Sequence, residues 1–205
     1  MTGGGPTSPT VPIGLSVDAD GLARCAWGAG PQEYRRYHDQ EWGRPVRGDD
    51  ALFERLTLEA FQSGLSWLTI LRKREAFRAA FDGFRIAKVA GYGTDDVTRL
   101  LADAGIVRNR AKIEAAVANA RAALDLPTGL ADLLWSYAPP PRAGRPASAA
   151  DVPARTPEST ALARELKRHG FRFVGPTTAY ALMQATGMVD DHVDGCHVPP
   201  PVPVR

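Results

Sequence analysis

The stretch that decides the fold is TDDVTRLLADAG (94–105), followed without a break by IVRNRAKIEAAVANARAAL (106–124). Val97, Leu100, Leu101 and Ala104 recur at three- and four-residue intervals, the period of one helical face. Thr94 reads as an N-cap, Asp95 and Asp96 favour the positive first turn, and Gly105 supplies a left-handed stop. A second helix is expected from about Asn109 to Leu124, with Ile113, Val117, Ala120 and Leu124 along its stripe. Two helices joined by so tight a turn make a helical hairpin. Arg108, Arg110 and Lys112 crowd the start of the second helix, where positive charge opposes the helix dipole, so an anion is the expected partner.

The same period continues in both directions. Upstream, Leu52, Phe53, Leu56 and Ala60 share a face. Downstream, Thr156 and Pro157 open a helix whose apolar side carries Leu162 and Leu166 and which Gly170 closes. A last helix is expected from about Pro176 to Thr186, stopped by Gly187. Only Phe171 to Val174 looks strand-like, and it is too short and solitary to make a sheet. The expectation is an all-α domain over residues 22–197, with a Pro/Ala-rich loop at about 139–155, a disordered leader at 1–21 and a flexible tail at 198–205.

The bulk properties fit one soluble domain or two small lobes. The chain has 205 residues, 44% apolar and 23% charged, enough for a hydrophobic core. No apolar run reaches membrane-spanning length and no secretory leader opens the chain, which makes the cytoplasm the default location and a membrane role unexpected. A net charge of +2 and a pI near 8.7 permit a nucleic-acid partner without demanding one. Of the other basic clusters, Arg164, Lys167 and Arg168 read as a solvated helix face, and Arg72, Lys73 and Arg74 form a third group.

The only two cysteines each lie near a histidine: Cys25 and His38 at one end, His192 and Cys196 at the other. Two thiols so far apart do not suggest a disulfide framework. Each alone reads as a small buried apolar residue, but two such pairs make a Cys2His2 set suited to tetrahedral zinc that would join the two ends of the fold.

The aromatic residues are just as unevenly spread. Trp27, Tyr34, Tyr37, Trp42 and Trp67 all fall in the first third of the chain. Core packing accounts for some of them, while tryptophan and tyrosine together also make hydrogen-bonding walls for a planar ring. Glu59 stands between Leu58 and Ala60 in an apolar stretch, where a carboxylate is costly unless it is paired, faces a cleft, or turns to solvent on a helix surface. Gly64 ends that helix and places Leu65 at an exposed turn, as a loop anchor or as a wedge able to enter a base step.

Five segments, YHDQEWG (37–43), EAFQSGLSW (59–67), AGIVRNRAKI (104–113), GFRFVGPTTAYALMQATG (170–187) and DHVDGC (191–196), resemble in order the signature blocks of the DNA-3-methyladenine glycosylase I family. The resemblance runs from about Arg24 to Cys196 and implies a helix-hairpin-helix glycosylase fold of two helical lobes around a base pocket. It implies an enzyme that flips 3-methyladenine from alkylated double-stranded DNA, hydrolyses its N-glycosidic bond and leaves an abasic site, acting as a monomer. By similarity, Cys25, His38, His192 and Cys196 match structural zinc ligands. Glu59 and Tyr37 match groups that hydrogen-bond the base, Trp67 matches the ring that stacks on it, and Trp27 and Trp42 would line the same pocket. Gly64, Leu65, Gly105, Arg108, Arg110 and Lys112 would meet the DNA.

Ala60 and Phe61 stand where the family often has smaller residues, which would reshape the pocket floor, and Asp190 stands where asparagine is common. Two rivals remain at this stage: a zinc-stabilised DNA-binding module without catalysis, and a hydrolase with an open catalytic zinc.

Overall fold

The computed structural model describes residues 13–200. A β-hairpin of β1 (Leu15–Val17) and β2 (Ala23–Cys25) pairs antiparallel with Leu15 opposite Cys25. Helices follow as α1 (Gln32–Gln40), α2 (Asp49–Gln62), α3 (Trp67–Ala80), α4 (Ile86–Ala90), α5 (Thr94–Ala102) and α6 (Arg110–Leu124). The series closes with α7 (Gly129–Trp135), α8 (Pro157–Arg168) and α9 (Pro176–Ala185). The helical expectation holds, with two findings concerning strands.

The first is that the expected leader at 1–21 is ordered over its last residues, where β1 lies; residues 1–12 and 201–205 lie outside the described residues. Three-residue strands are too short to show alternation, and this hairpin is held by charge. Buried Arg24 pairs with Asp18 and Asp20 within the hairpin and with Asp39 of α1, each at 2.9 Å. The second is that Phe171–Val174, strand-like but expected to be too short and solitary to make a sheet, indeed forms no strand. The Asn119 side chain of α6 takes the place of a partner strand, donating to the Arg172 carbonyl (3.0 Å) and accepting from the Arg172 N–H (2.7 Å).

The central helix is α2, whose Leu52, Phe53, Leu56, Leu58 and Phe61 are all but inaccessible to solvent. Burying each such side chain contributes roughly 1.5–3 kcal/mol. Phe61 packs on Phe77 of α3 (ring centroids 4.8 Å) within the core, Ala60 is buried, and neither lines the pocket described below. A second, smaller apolar cluster of Leu15, Cys25, Val193, Cys196 and Val198 joins the two ends of the described chain. Val198, expected in the flexible tail, is docked there.

At the start of α5 the N-cap shifts by one residue from the expected Thr94. Gly93 is the N-cap of α5, and its N–H is accepted by Asp96 at 3.1 Å. Gly105 is not left-handed; a Cβ there would meet Ala76 Cβ and Asp103 Oδ1 at 2.9 Å, so glycine is required by close approach to α3. Asn109 caps α6 by accepting from the Lys112 N–H. Thr156, Pro157 and Gly170 bound α8 as the sequence indicates, Gly170 at φ +88°.

Candidate active site and metal centre

The two ends of the described chain meet around four side chains. Cys25 leaves β2, His38 lies in α1, and His192 and Cys196 follow α9; their ligand atoms all lie within 4.8 Å of one another and all four residues are buried. Cys196 Sγ is 3.5 Å from both His38 Nε2 and His192 Nδ1, and Cys25 Sγ is 3.8 Å from His192 Nδ1.

The outer contacts decide which ring nitrogens are free. His38 Nδ1 faces Asp39 Oδ1 at 2.7 Å, and His192 Nε2 faces the Trp42 carbonyl at 3.3 Å. Carboxylate and carbonyl oxygens only accept, so those nitrogens carry the protons and the opposite lone pairs point at the sulfurs. Asp39 also receives Arg24 and His197. Burial opposes its ionisation, but hydrogen bonds from Arg24, His38 and His197 outweigh this and hold it well below the usual carboxylate range. A donor set of two sulfurs and two imidazoles, buried and oriented in this way, fits a tetrahedral cation.

Beside the cluster lies a cavity of about 350 Å³, with Cys25 and Trp42 in its wall. Its remaining aromatic lining is Trp27, Tyr37 and Trp67. Trp27 meets Trp42 edge to face at 4.9 Å, and Tyr37 meets Trp67 at 5.4 Å. Position follows from the elements: Trp67 opens α3 behind the Ser66 cap, and Tyr37 sits in α1 next to His38.

Glu59 of α2 is 6% exposed and lines the same cavity. Neither its carboxyl nor the Tyr37 hydroxyl has a hydrogen-bond partner among the described residues. Burial pushes the Glu59 carboxyl up to about 8, with Arg55 opposing the shift, and burial likewise pushes the Tyr37 hydroxyl well up. Aromatic walls and an unpaired carboxyl suit a planar ring carrying positive charge or polar N–H groups.

The expected DNA-facing residues divide. Gly64 (φ +81°) and Leu65, 40% exposed, form the tip of the α2–α3 turn, and Arg108 and Arg110 are exposed at the start of α6. Lys112 is a correction: it is buried, and its Nζ donates to the Phe61 and Ser63 carbonyls at 2.9 and 2.5 Å. The anion inferred for it is in fact the C-terminal end of α2, where carbonyls lack partners. Lys73 similarly donates to the Ala104 and Gly105 carbonyls (2.9 and 3.2 Å), tying α3 to the α5–α6 turn.

Residues 27–199 match the profile of the Methyladenine glycosylase family. The chain belongs to that family. It is 44% identical over 179 residues to DNA-3-methyladenine glycosylase 1 of Escherichia coli, covering 85% of this chain and 96% of that one. A crystal structure of 3-methyladenine DNA glycosylase I superposes with a TM-score of 0.82 at 45% identity, covering 86% of this chain and 100% of the other. A variant of 3-methyladenine DNA glycosylase I in complex with 3-methyladenine gives 0.81 at 37% identity, covering 86% and 97%.

The methyladenine glycosylase match begins at residue 27, so the hairpin of β1 and β2 precedes it. That hairpin still reaches the cavity, through Cys25 at the end of β2, with Gly14 just before β1. Gln184 and Asp191 also line the cavity and were not singled out from sequence. Gln184 does carry a signal, the same as that of Glu59: a polar residue between two buried apolar ones, Met183 and Ala185.

Proposed function

We propose that this DNA-3-methyladenine glycosylase takes 3-methyladenine, extruded from alkylated double-stranded DNA, into the cavity between Trp27, Tyr37, Trp42, Glu59 and Trp67. The observation that carries the reading is a buried carboxyl with no protein partner inside aromatic walls, in a chain of this family. Methylation at the 3-position leaves the base cationic while it is attached to the sugar, so it departs readily. The bond between the sugar C1′ and the base nitrogen breaks with its electron pair going to the base. Water then bonds to the oxocarbenium-like sugar and gives up a proton, leaving an abasic site.

Glu59 and Tyr37 hydrogen-bond the base and Trp67 stacks on it. A cationic ring beside Glu59 replaces the missing partner and favours the ionised carboxylate, which also stabilises positive charge developing on the sugar. Extrusion costs a few kcal/mol, least for a damaged pair, and so adds selectivity. Leu65 at its exposed turn serves as the wedge, with Gly64, Gly105, Arg108 and Arg110 on the backbone of the helix-hairpin-helix contact. The enzyme acts as a monomer in the cytoplasm.

Cys25, His38, His192 and Cys196 would hold zinc. With Zn–S of about 2.3 Å and Zn–N of about 2.0 Å, a tetrahedral site separates sulfur and nitrogen by about 3.5 Å, which the observed 3.5–3.8 Å accommodates. When bound, zinc supplies a cross-link and no reactive water, since four protein donors fill its coordination; this argues against the open-site hydrolase. His38 thereby fixes Tyr37 beside the base.

The test is incubation of the folded, zinc-loaded protein with methylated duplex DNA and chromatography of the released bases. Free 3-methyladenine is expected; none released would overturn the reading.

A further inference from the structure

We propose that Gln184 is a specificity-determining residue of this pocket, its amide oxygen accepting a hydrogen bond from the exocyclic 6-amino group of the base and so selecting amino over oxo purines. The inference rests on the glycosylase reading above and adds to it the group that tells one alkylated purine from another.

The argument starts from Asp191. Its side chain is sealed from solvent, and it accepts from Arg142 (2.6 Å), from the Tyr180 hydroxyl (2.6 Å) and from Gln184 Nε2 (2.8 Å). A carboxylate offers only acceptors, so the Gln184 amide must present nitrogen to it; the reversed amide would set two oxygens 2.8 Å apart. The orientation of Gln184 is therefore fixed by chemistry. Its backbone is fixed too, since the Gly43 N–H donates to the Gln184 carbonyl at 3.1 Å, next to Trp42 of the cavity wall.

With the nitrogen spent, Gln184 Oε1 is left over. It has no hydrogen-bond partner among the described residues, it is not among their sealed orphan atoms, and Gln184 lines the cavity. Of the other polar side chains that line the cavity, the Trp27 and Trp42 indoles only donate, and the Gln62 amide, which no described residue orients, can donate or accept. The Tyr37 hydroxyl donates or accepts, and so can the Glu59 carboxyl while burial favours its protonated form. Asp191 is saturated, and Trp67 Nε1 is sealed. Gln184 Oε1 is thus an acceptor whose orientation the protein's own hydrogen bonds fix: it requires a donor. A 6-amino group supplies two N–H bonds, so it can satisfy Gln184 without releasing Glu59. A 6-oxo group would set oxygen against oxygen, and a site built to hydrogen-bond one group rejects its mismatch more strongly than an apolar site does.

The experiment is calorimetric titration of the zinc-loaded protein with free 3-methyladenine and with 3-methylhypoxanthine, which carries an oxo group at the 6-position. The native protein is expected to bind the amino base at least about tenfold more tightly. Gln184→Met, of similar length, should bring the two affinities to within about threefold, by weakening the amino base. Metal content and melting temperature should not move, because Arg142 and Tyr180 still satisfy Asp191. Gln184→Leu is the second variant should the first fold poorly, and the ratio of 3-methyladenine to 3-methylguanine released from methylated DNA is read alongside. A native preference that survives both substitutions overturns the proposal while leaving the glycosylase reading in place. A native protein that releases no 3-methyladenine defeats both.

Discussion

The Cys/His cluster and the cavity share a wall, with Cys25 and Trp42 in both regions, yet they treat polar atoms in opposite ways. Around the cluster each ring nitrogen has a defined neighbour, and the chain of partners runs outward through Asp39 to Arg24, Asp18 and Asp20. In the cavity, the Glu59 carboxyl, the Tyr37 hydroxyl and Gln184 Oε1 are left over. An unpaired buried polar group costs about 1–3 kcal/mol, so a fold retains several in one place only where something else completes them.

The contrast is sharpest between two glutamates. For Glu41, burial opposes ionisation, but hydrogen bonds from Arg74 and Arg55 outweigh it and hold the carboxyl below its ordinary range. Glu59 has burial without those bonds and moves the other way. Saturation marks structure, and its lack marks the place for a ligand.

The hardest blow to this contrast falls on the saturated side. Cys196→Ser should remove most bound metal and lower the melting temperature by on the order of 10 °C, because metal binding is part of the folding free energy. Elemental analysis and thermal melts check it, and unchanged values in both would refute the cross-link.

Glu59→Gln should do the reverse: base release falls about a hundredfold while the melting temperature holds or rises. Its pH dependence sharpens the point. The folded carboxyl titrates near 8 against an ordinary 4.5, so between those values the folded protein keeps a proton that the unfolded chain has released. The stability of the free protein therefore falls as pH rises through that window, by on the order of a few kcal/mol, and flattens above it. Melting curves of the native and Glu59→Gln proteins from pH 4.5 to 8.5 should differ in this slope; a slope retained in the variant would clear Glu59 of causing it.

The smallest effects separate two kinds of basic residue. Lys112→Met should cost about 1–3 kcal/mol of stability by orphaning the Phe61 and Ser63 carbonyls, with no change in the salt dependence of duplex binding. Arg108→Ala should leave stability alone and reduce the slope of log affinity against log salt by about 1. Fluorescence anisotropy at several salt concentrations would show the assignments exchanged if they are wrong.

Much of the fold could be read from the sequence, because long amphipathic helices advertise their period and their ends: Thr156, Pro157 and Gly170 bound α8 where expected, and Asn109 caps α6. The hairpin of β1 and β2 could not, since its cohesion comes from Arg24 reaching three aspartates, one of them in another element. Lys112 misled for a related reason. Its charge is compensated by carbonyls at the end of α2, and a backbone partner about fifty residues away leaves no trace in composition. Glu59 was visible as a charge in an apolar run, whereas Gln184, uncharged, drew no notice in the same kind of setting.

His38 meets Cys196 across 158 residues of chain, and Cys25 meets His192 across 167. Closing such separations is a late event in the life of the polypeptide. A ribosome that has not yet delivered Cys196 holds a chain with every cavity-lining residue but only three of the four Cys/His side chains. The Cys/His cluster that borders the cavity can therefore close only once nearly all of the described chain has been made.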